Sequence, residues 1–232
     1  MKARTTLAQL ARSSAGRRRA PARPVTKGGR RTSRYLSNPA GASTRSSPAK
    51  TTTAVYLARY LVATVVDADP QGSATAWAKA VEQDGASGQD GAFVPVVHLP
   101  DPKLVGRLPK ASRLVVDCSP RDHRITDAAV ALADLVVVPT ATTSADMERT
   151  WATLDLAAGA GKRAAVLLVK ARPMTLSFRA ALQALEDEKV LVLRARIPQR
   201  EALAVAWGRP FGPESFGYDL AAKEVEELVR RA

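Results

Sequence analysis

From Lys50 onward the chain alternates between short apolar runs and longer stretches in which apolar residues recur with helical spacing. The first helical stretch, residues 51–61, has apolar Val55, Leu57, Ala58 and Leu61 at helical spacing. The short runs are rich in Val and Leu and are apolar throughout, which predicts buried strands. Such strands alternating with helices predict an α/β fold with a mainly parallel sheet and helices on both faces. The predicted strands are 62–66, 93–99, 114–116, 135–138, 164–169 and 190–193, and the predicted helices are 51–61, 73–83, 126–133, 144–158, 176–188, 199–206 and 219–231.

Residues 1–49 lack this pattern and are rich in Arg, Ser, Pro, Ala and Thr. A composition of this kind buries too little apolar surface to offset the entropy lost on ordering. We therefore predict a basic, disordered segment over 1–49 and a folded domain over 50–232. Three interpretations of the segment stand: a solvated tail, a tail that binds polyanions, or the translation of a GC-rich gene in a shifted frame.

The charge is distributed unevenly along the chain, although its formal net value is +13. Of the 35 Lys and Arg residues, 14 precede Asp67, the first acidic residue, and the other 21 are balanced by all 22 Asp and Glu residues. The predicted domain is therefore close to neutral. If it binds DNA, it must use a local basic patch rather than its overall field.

Several classes of protein are disfavoured by what the sequence lacks. No apolar run approaches the roughly 18 residues that a membrane span needs. The first residues lack the apolar core of a secretory signal. Cys118 is the only cysteine, so no internal disulfide can form. We expect a cytoplasmic protein with no membrane association.

Carboxylates follow two of the predicted strands. Asp67 and Asp69 come after 62–66, and Asp117 comes after 114–116. Ligands of open α/β sheets bind at the carboxyl ends of strands, and one or two carboxylates there suit Mg²⁺. A carboxylate beside a γ-phosphate can also orient an attacking water. The alternative is that each aspartate merely caps the helix that follows it.

These segments resemble the ParA/MinD family of P-loop ATPases, whose phosphate loop is a deviant Walker A sequence, and within it the ParA partition proteins. The resemblance covers about residues 50–207. Residues 65–75 read VVDADPQGSAT and look like the family's switch I segment, and residues 114–120 read LVVDCSP and look like its Walker B strand. Residues 133–140 (ADLVVVPT), 151–156 (WATLDL) and 194–206 are similar to later elements of the family.

The resemblance implies a phosphate loop of the form KGGxGKTT, which this chain carries in two pieces. The first piece is Lys27-Gly28-Gly29 and the second is Lys50-Thr51-Thr52-Thr53, with residues 30–49 between them. Ala49 stands where the family has glycine, and a position with φ > 0 would cost alanine about 1 kcal/mol or more. The apolar strand that should precede Lys27 is missing, so we expect reduced nucleotide affinity.

The same resemblance implies roles for individual residues and a function for the chain. Lys50, Gly28, Gly29 and Thr52 would hold phosphates, Thr51 and Asp117 would bind Mg²⁺, Asp69 would support hydrolysis, Lys27 would reach across an ATP-sandwich homodimer, and Pro198 would line the base. The implied function is an ATP- and Mg²⁺-dependent partition ATPase that dimerises on ATP, binds DNA non-specifically on the nucleoid, and works with a ParB-like partner.

Two other functions stay open at this point. One is a degenerate, non-hydrolysing binding protein of the same fold, so whether the chain is an enzyme is undecided. The other is an unrelated α/β domain whose aspartates are helix caps. The three tryptophans, Trp77, Trp151 and Trp207, are expected to pack against helices rather than against a nucleotide.

Overall fold

The computed structural model describes residues 33–37, 49–86, 93–118 and 122–231. Within them lies a seven-stranded sheet of order β3-β2-β4-β1-β5-β6-β7. Every strand pair in it is parallel. The strands are β1 (Ser33–Ser37), β2 (Thr64–Asp67), β3 (Val96–His98), β4 (Arg113–Asp117), β5 (Leu135–Thr140), β6 (Ala164–Ala171) and β7 (Val192–Pro198).

Helices connect the strands and confirm the predicted α/β class. They are α1 (Ala49–Leu61), α2 (Ser73–Val81), α3 (His123–Leu132), α4 (Ser144–Gly159), α5 (Leu176–Asp187), α6 (Glu201–Ala204) and α7 (Tyr218–Arg230). The predicted helix over 199–206 is real but shorter, since it forms only at Glu201–Ala204. Among the described helices, none has the length and hydropathy to cross a bilayer.

Both faces of the sheet are covered, which explains why its strands are apolar throughout. In β4, Val115 points to one core, whereas Leu114 and Val116 point to the other. The first core is closed by α1, α2 and α7, and the second by α3, α4 and α5. The sequence pattern of uninterrupted Val and Leu runs therefore reports burial on two sides.

The first strand corrects the sequence analysis, which found none before Lys50. β1 lies at the centre of the sheet, with Tyr35 opposite Val115 of β4 on one side and Leu135 of β5 on the other. The compact unit that contains the sheet runs from Arg31 to Ala232, so the folded domain begins well before Lys50. The rest of the predicted disordered segment lies outside the described residues.

An aromatic cluster anchors the segment between α6 and α7 to the rest of the fold. Phe93 stacks on Phe211 at 5.1 Å, and Tyr56 of α1 packs edge-on against Phe211 at 5.2 Å. Trp77 of α2 is buried, and its Nε1 donates a hydrogen bond to the carbonyl of Arg209 at 2.9 Å. This segment is therefore tied to both α1 and α2, and it forms a fixed wall beside the sheet.

Helix α1 ends with a β-branched residue in the left-handed region. Val62 follows Leu61 with φ 51°, and the N–H of Ala63 bonds back to the carbonyl of Ala58 at 2.9 Å. This is a Schellman ending, in which glycine is the usual left-handed residue. α4 ends in the same way with Gly161 at φ 66°. Val62 is 80 % exposed, so no packing compensates for its strain.

We predict that Val62→Gly raises the free energy of unfolding by about 0.5–1 kcal/mol. Relief of the left-handed strain at a β-branched residue outweighs the entropy that glycine adds to the unfolded chain. Urea denaturation followed by circular dichroism measures the change. The matched control is Gly161→Val, which should destabilise the protein; a Val62→Gly protein less stable than wild type would contradict the account.

Candidate functional site

The register of β2 and β4 brings two carboxylates together at the carboxyl edge of the sheet. Asp67 and Asp117 are direct partners across this strand pair, and both are buried. The N–H of Ala68 continues the ladder by bonding to the carbonyl of Asp117 at 2.9 Å. The expectation that two separate strands deliver carboxylates to one edge is confirmed.

Asp67 serves the helix that follows it. Its Oδ2 accepts two hydrogen bonds of 2.8 Å, from the backbone N–H and from the hydroxyl of Thr75. The N-cap position of α2 is Gly72, which has no side chain to cap with, so Asp67 supplies that acceptor. Its other oxygen, Oδ1, is buried and accepts no hydrogen bond from any residue that the structure describes. For Asp67 the capping interpretation holds.

Asp69 and Asp117, in contrast, line a cavity of about 810 Å³ above the strand ends. Asp69 is half-buried and shapes its own turn, since its Oδ1 accepts from the N–H of Gln71 at 2.9 Å. Gly72 closes that turn with φ 63°, and a Cβ there would lie 3.6 Å from the ring of His98. Nε2 of His98 lies 3.3 Å from the carbonyl oxygen of Asp69. The turn thus presents the Asp69 carboxylate to the cavity.

The first turn of α1 supplies the cation of the site. Lys50 is 9 % exposed and lines the cavity together with Thr51 and Thr52. Burial lowers the pKa of the Lys50 ammonium, and the carboxylates of Asp117 and Asp69 oppose that shift. The ammonium is therefore desolvated and held by the negative charge of the strand ends.

Asp117 is the most perturbed carboxyl group of the site. Its complete burial raises its pKa to about 7, and the neighbouring charges of Asp67 and Asp69 act in the same direction. A hydrogen bond from the Thr51 side chain and the charge of Lys50 oppose the rise. A hydroxyl and a carboxylate in contact, one of them buried, form a donor set suited to a hard divalent cation.

The cavity also extends to β6 and β7, which lie on the other side of β1 and β5 from the two carboxylate-bearing strands. Val169 and Ile197 are buried there, and Pro198 is part of the lining, while its contact with a nucleotide base stays a prediction. Trp207 also lines the cavity and is 56 % exposed, so the expectation that it packs against helices is wrong. The signal was in the sequence, because Trp207 is followed by Gly-Arg-Pro and so stands beyond the end of a helix. The rim carries Lys170, Arg172, Gln199, Arg200 and Glu201.

The phosphate-loop residues divide between described and undescribed parts of the chain. Lys27, Gly28 and Gly29 lie outside the described residues. They precede β1, whereas the segment that joins β1 to α1 is 38–48. The structure therefore does not support their placement in the loop that leads to Lys50.

Ala49 also differs from expectation. It is the first residue of α1 and is not among the non-glycine residues with positive φ, so it bears no left-handed strain. Cys118, beside Asp117, is buried as expected, and burial raises the pKa of its thiol. Neither residue therefore disturbs the geometry around Lys50.

Comparison with known proteins gives a family and a fold. The family model of the CobQ/CobB/MinD/ParA nucleotide-binding domain matches residues 40–211. No curated protein matches the chain in sequence.

Three solved structures illustrate the similarity. MinD of Pyrococcus horikoshii complexed with Mg-ADP is 17 % identical with a TM-score of 0.64, over 85 % of this chain and 97 % of that one. A candidate plasmid partition protein of Borrelia burgdorferi bound to AMPPNP is 14 % identical with a TM-score of 0.63, over 87 % and 99 %. Cobyrinic acid a,c-diamide synthase of Mycobacterium smegmatis with ADP and magnesium is 17 % identical with a TM-score of 0.59, over 85 % and 96 %. Identities this low establish the fold alone.

The raised pKa of Asp117 predicts how the stability of the ligand-free protein depends on pH. Ionising Asp117 is harder in the folded chain, at a pKa of about 7, than at the ordinary value of 3.8. Its contribution to the free energy of unfolding therefore falls as pH rises from 4 to 7 and is level above 7. Asp117→Asn keeps an acceptor for Thr51 and removes this dependence. Between pH 5 and 8 the wild type should lose on the order of 2 kcal/mol more than the variant.

The measurement is urea denaturation at several pH values in EDTA without nucleotide. Asp127→Asn, at an exposed position of α3, is the matched control and should follow the wild type. Parallel curves for the wild type and Asp117→Asn would show that Asp117 is not the group responsible.

Proposed function

The chain belongs to the CobQ/CobB/MinD/ParA family of nucleotide-binding domains, and we propose that its cavity binds ATP together with Mg²⁺. The observation that carries this proposal is the chemical division of the cavity. The charged and hydroxyl groups of Lys50, Thr51, Asp69 and Asp117 gather where β2 and β4 end, and apolar Val169, Ile197 and Pro198 line the cavity at β6 and β7, on the other side of β1 and β5; Trp207 is also part of the lining. ATP has the same division, with a polyphosphate at one end and an aromatic base at the other.

The polar end supplies a partner for each charged part of such a ligand. Lys50, at the start of α1, would meet the phosphates, where the helix N-terminus adds positive potential, and Thr52 would donate to them. Thr51 and Asp117, already in contact, would hold Mg²⁺. Mg²⁺ when bound neutralises charge on the phosphate oxygens. MinD of Pyrococcus horikoshii was solved with Mg-ADP, which supports the same ligand here.

We assign hydrolysis to Asp69. Its carboxylate lines the cavity on a turn held by Gly72 and is half-buried, so water has access to it. A carboxylate in this place would orient the attacking water. Asp67 is a poorer candidate, because both of its polar contacts serve Thr75. The function proposed on this basis is an ATPase.

The finer role we propose is partition of plasmids or chromosomes. The chain would dimerise on ATP, bind DNA without sequence preference on the nucleoid, and respond to a ParB-like partner in the cytoplasm. The support is the resemblance of residues 65–75 and 114–120, together with the likeness to a candidate plasmid partition protein. The 12 Lys and Arg residues within 1–49 supply charge for DNA.

A second candidate is a nucleotide-binding protein that does not hydrolyse. This candidate is favoured by the composition of residues 38–48, the segment between β1 and α1. The segment contains one glycine, Gly41. Loops that wrap phosphates with successive N–H groups use several glycines to reach φ > 0. Fewer glycines mean fewer well-aimed N–H donors around the transferred phosphate.

We predict that Lys50→Ala weakens Mg-ATP binding roughly 10- to 150-fold, because a charge-assisted contact to phosphate contributes about 1.5–3 kcal/mol. Isothermal titration calorimetry with Mg-ATP measures the affinity. Lys79→Ala is the matched control, since this exposed lysine of α2 does not line the cavity. Equal affinities for Lys50→Ala and wild type would end the proposal.

Phosphate release separates the two candidates. If the chain is an ATPase, Asp69→Asn should bind Mg-ATP as tightly as the wild type but release phosphate at least 100-fold more slowly. This pattern is expected because the Asp69 carboxylate would act only in the transition state and not in binding of the substrate. A wild type that binds Mg-ATP and releases no phosphate above the Asp69→Asn background would support the non-hydrolysing protein instead.

The proposed DNA contact predicts a change in salt dependence. Replacing Arg17, Arg18 and Arg19 by Gln should reduce the slope of log K against log salt by about 2–3, since every DNA phosphate that is no longer neutralised lowers that slope by about 0.9. Replacement of the same three residues by Lys keeps the charge and is the control. Filter binding to duplex DNA of unrelated sequences measures both, and an unchanged slope in the Gln variant would show that this run does not contact DNA.

A further inference from the structure

Trp207 is an exposed aromatic residue on a rigid support. It lies in the turn after α6, where Gly208 has φ 78° and a Cβ on that glycine would lie 3.6 Å from the Cβ of Ala80. The next residue, Arg209, accepts the hydrogen bond from Trp77 through its carbonyl. The backbone that directly follows Trp207 is thus fixed against α2, although the indole itself is 56 % exposed.

An indole held in this way at a cavity wall leaves apolar surface in water that a ligand would cover. The lining of the same cavity includes further apolar residues, Val169, Ile197 and Pro198. The ligand part that fits such a lining is flat and aromatic. A stack on an indole tolerates any heteroaromatic base, because every base has a π-face.

Within the part of the chain that the structure describes, the polar side chains that line the cavity near Pro198 are exposed and do not form a buried hydrogen-bonding pattern for one base. Gln199, Arg200 and Glu201 on the rim are all exposed. Strong discrimination requires buried polar groups that a wrong ligand would leave unpaired. Among the described lining residues away from the carboxylates, buried Val169 and Ile197 are aliphatic, and the hydroxyl of buried Tyr218 is already paired with that of Thr53 at 3.1 Å.

We infer that Trp207 stacks on the base of the bound nucleotide, and that the site holds purine bases by this stack rather than by a hydrogen-bond pattern. This inference rests on the proposed nucleotide binding and adds the residue that would contact the base. Trp207 raises the affinity for nucleoside triphosphates over inorganic triphosphate. Adenine and guanine nucleotides bind with similar affinity.

The test compares ATP, GTP and inorganic triphosphate, each with Mg²⁺, by calorimetry on wild type, Trp207→Ala and Trp207→Phe. Loss of a base–aromatic stack corresponds to roughly 5- to 100-fold in affinity. Trp207→Ala should lose that factor for ATP and GTP and none for triphosphate, and Trp207→Phe should recover most of it. In the wild type, ATP and GTP should bind within about tenfold of each other. Val205→Ala, an exposed residue on the same segment outside the cavity lining, is the matched control.

The outcomes separate this inference from the function on which it rests. ATP binding that needs Lys50 but is unchanged in Trp207→Ala would overturn the inference and leave the function standing. Two other results would also overturn the inference. One is a Trp207→Ala protein that loses as much affinity for inorganic triphosphate as for ATP, which would show that Trp207 has a structural role. The other is a wild type that prefers ATP over GTP by far more than tenfold. If the wild type binds none of the three probes, both fail. Thermal melts confirm that each variant is folded.

Discussion

The site depends on one electrostatic constraint, a buried ammonium among buried carboxylates. Lys50 has lost most of its hydration, and Asp117 has lost nearly all of its own. Neither charge is stable alone in an apolar core, since an isolated buried ion costs several kcal/mol. The parallel register of β2 and β4 fixes the carboxylates, and α1, buried along most of its length, fixes the lysine. The geometry of the site therefore follows from the packing of the sheet.

This constraint explains why the charged residues of the site could be predicted from the sequence. Asp69, Asp117 and Lys50 each follow or begin an apolar element, and such elements can be recognised from local pattern alone. The fold class and strands β2 to β7 were predicted for the same reason. Asp67 shows the limit of this reasoning. An aspartate at a strand end has the same local sequence pattern whether its side chain caps a helix or faces a cavity.

The features that were missed depend on distant parts of the chain. The five residues Ser33–Ser37 contain two serines and an arginine and carry no strand signal of their own. They form the central strand because β4 and β5 offer unpaired edges on either side, which is information from residues about 80 to 100 positions away in sequence. Trp207 was missed for a related reason, since its role depends on where α2 holds the turn that carries it.

Helix α2 begins beside Asp69 and, at Trp77 and Ala80, supports the turn that carries Trp207. This short helix therefore links two parts of the cavity lining, the turn that holds the Asp69 carboxylate and the turn that holds the Trp207 indole. A shift of α2 along its axis would displace both turns together, whereas Lys50 and Asp117, on α1 and β4, would stay in place.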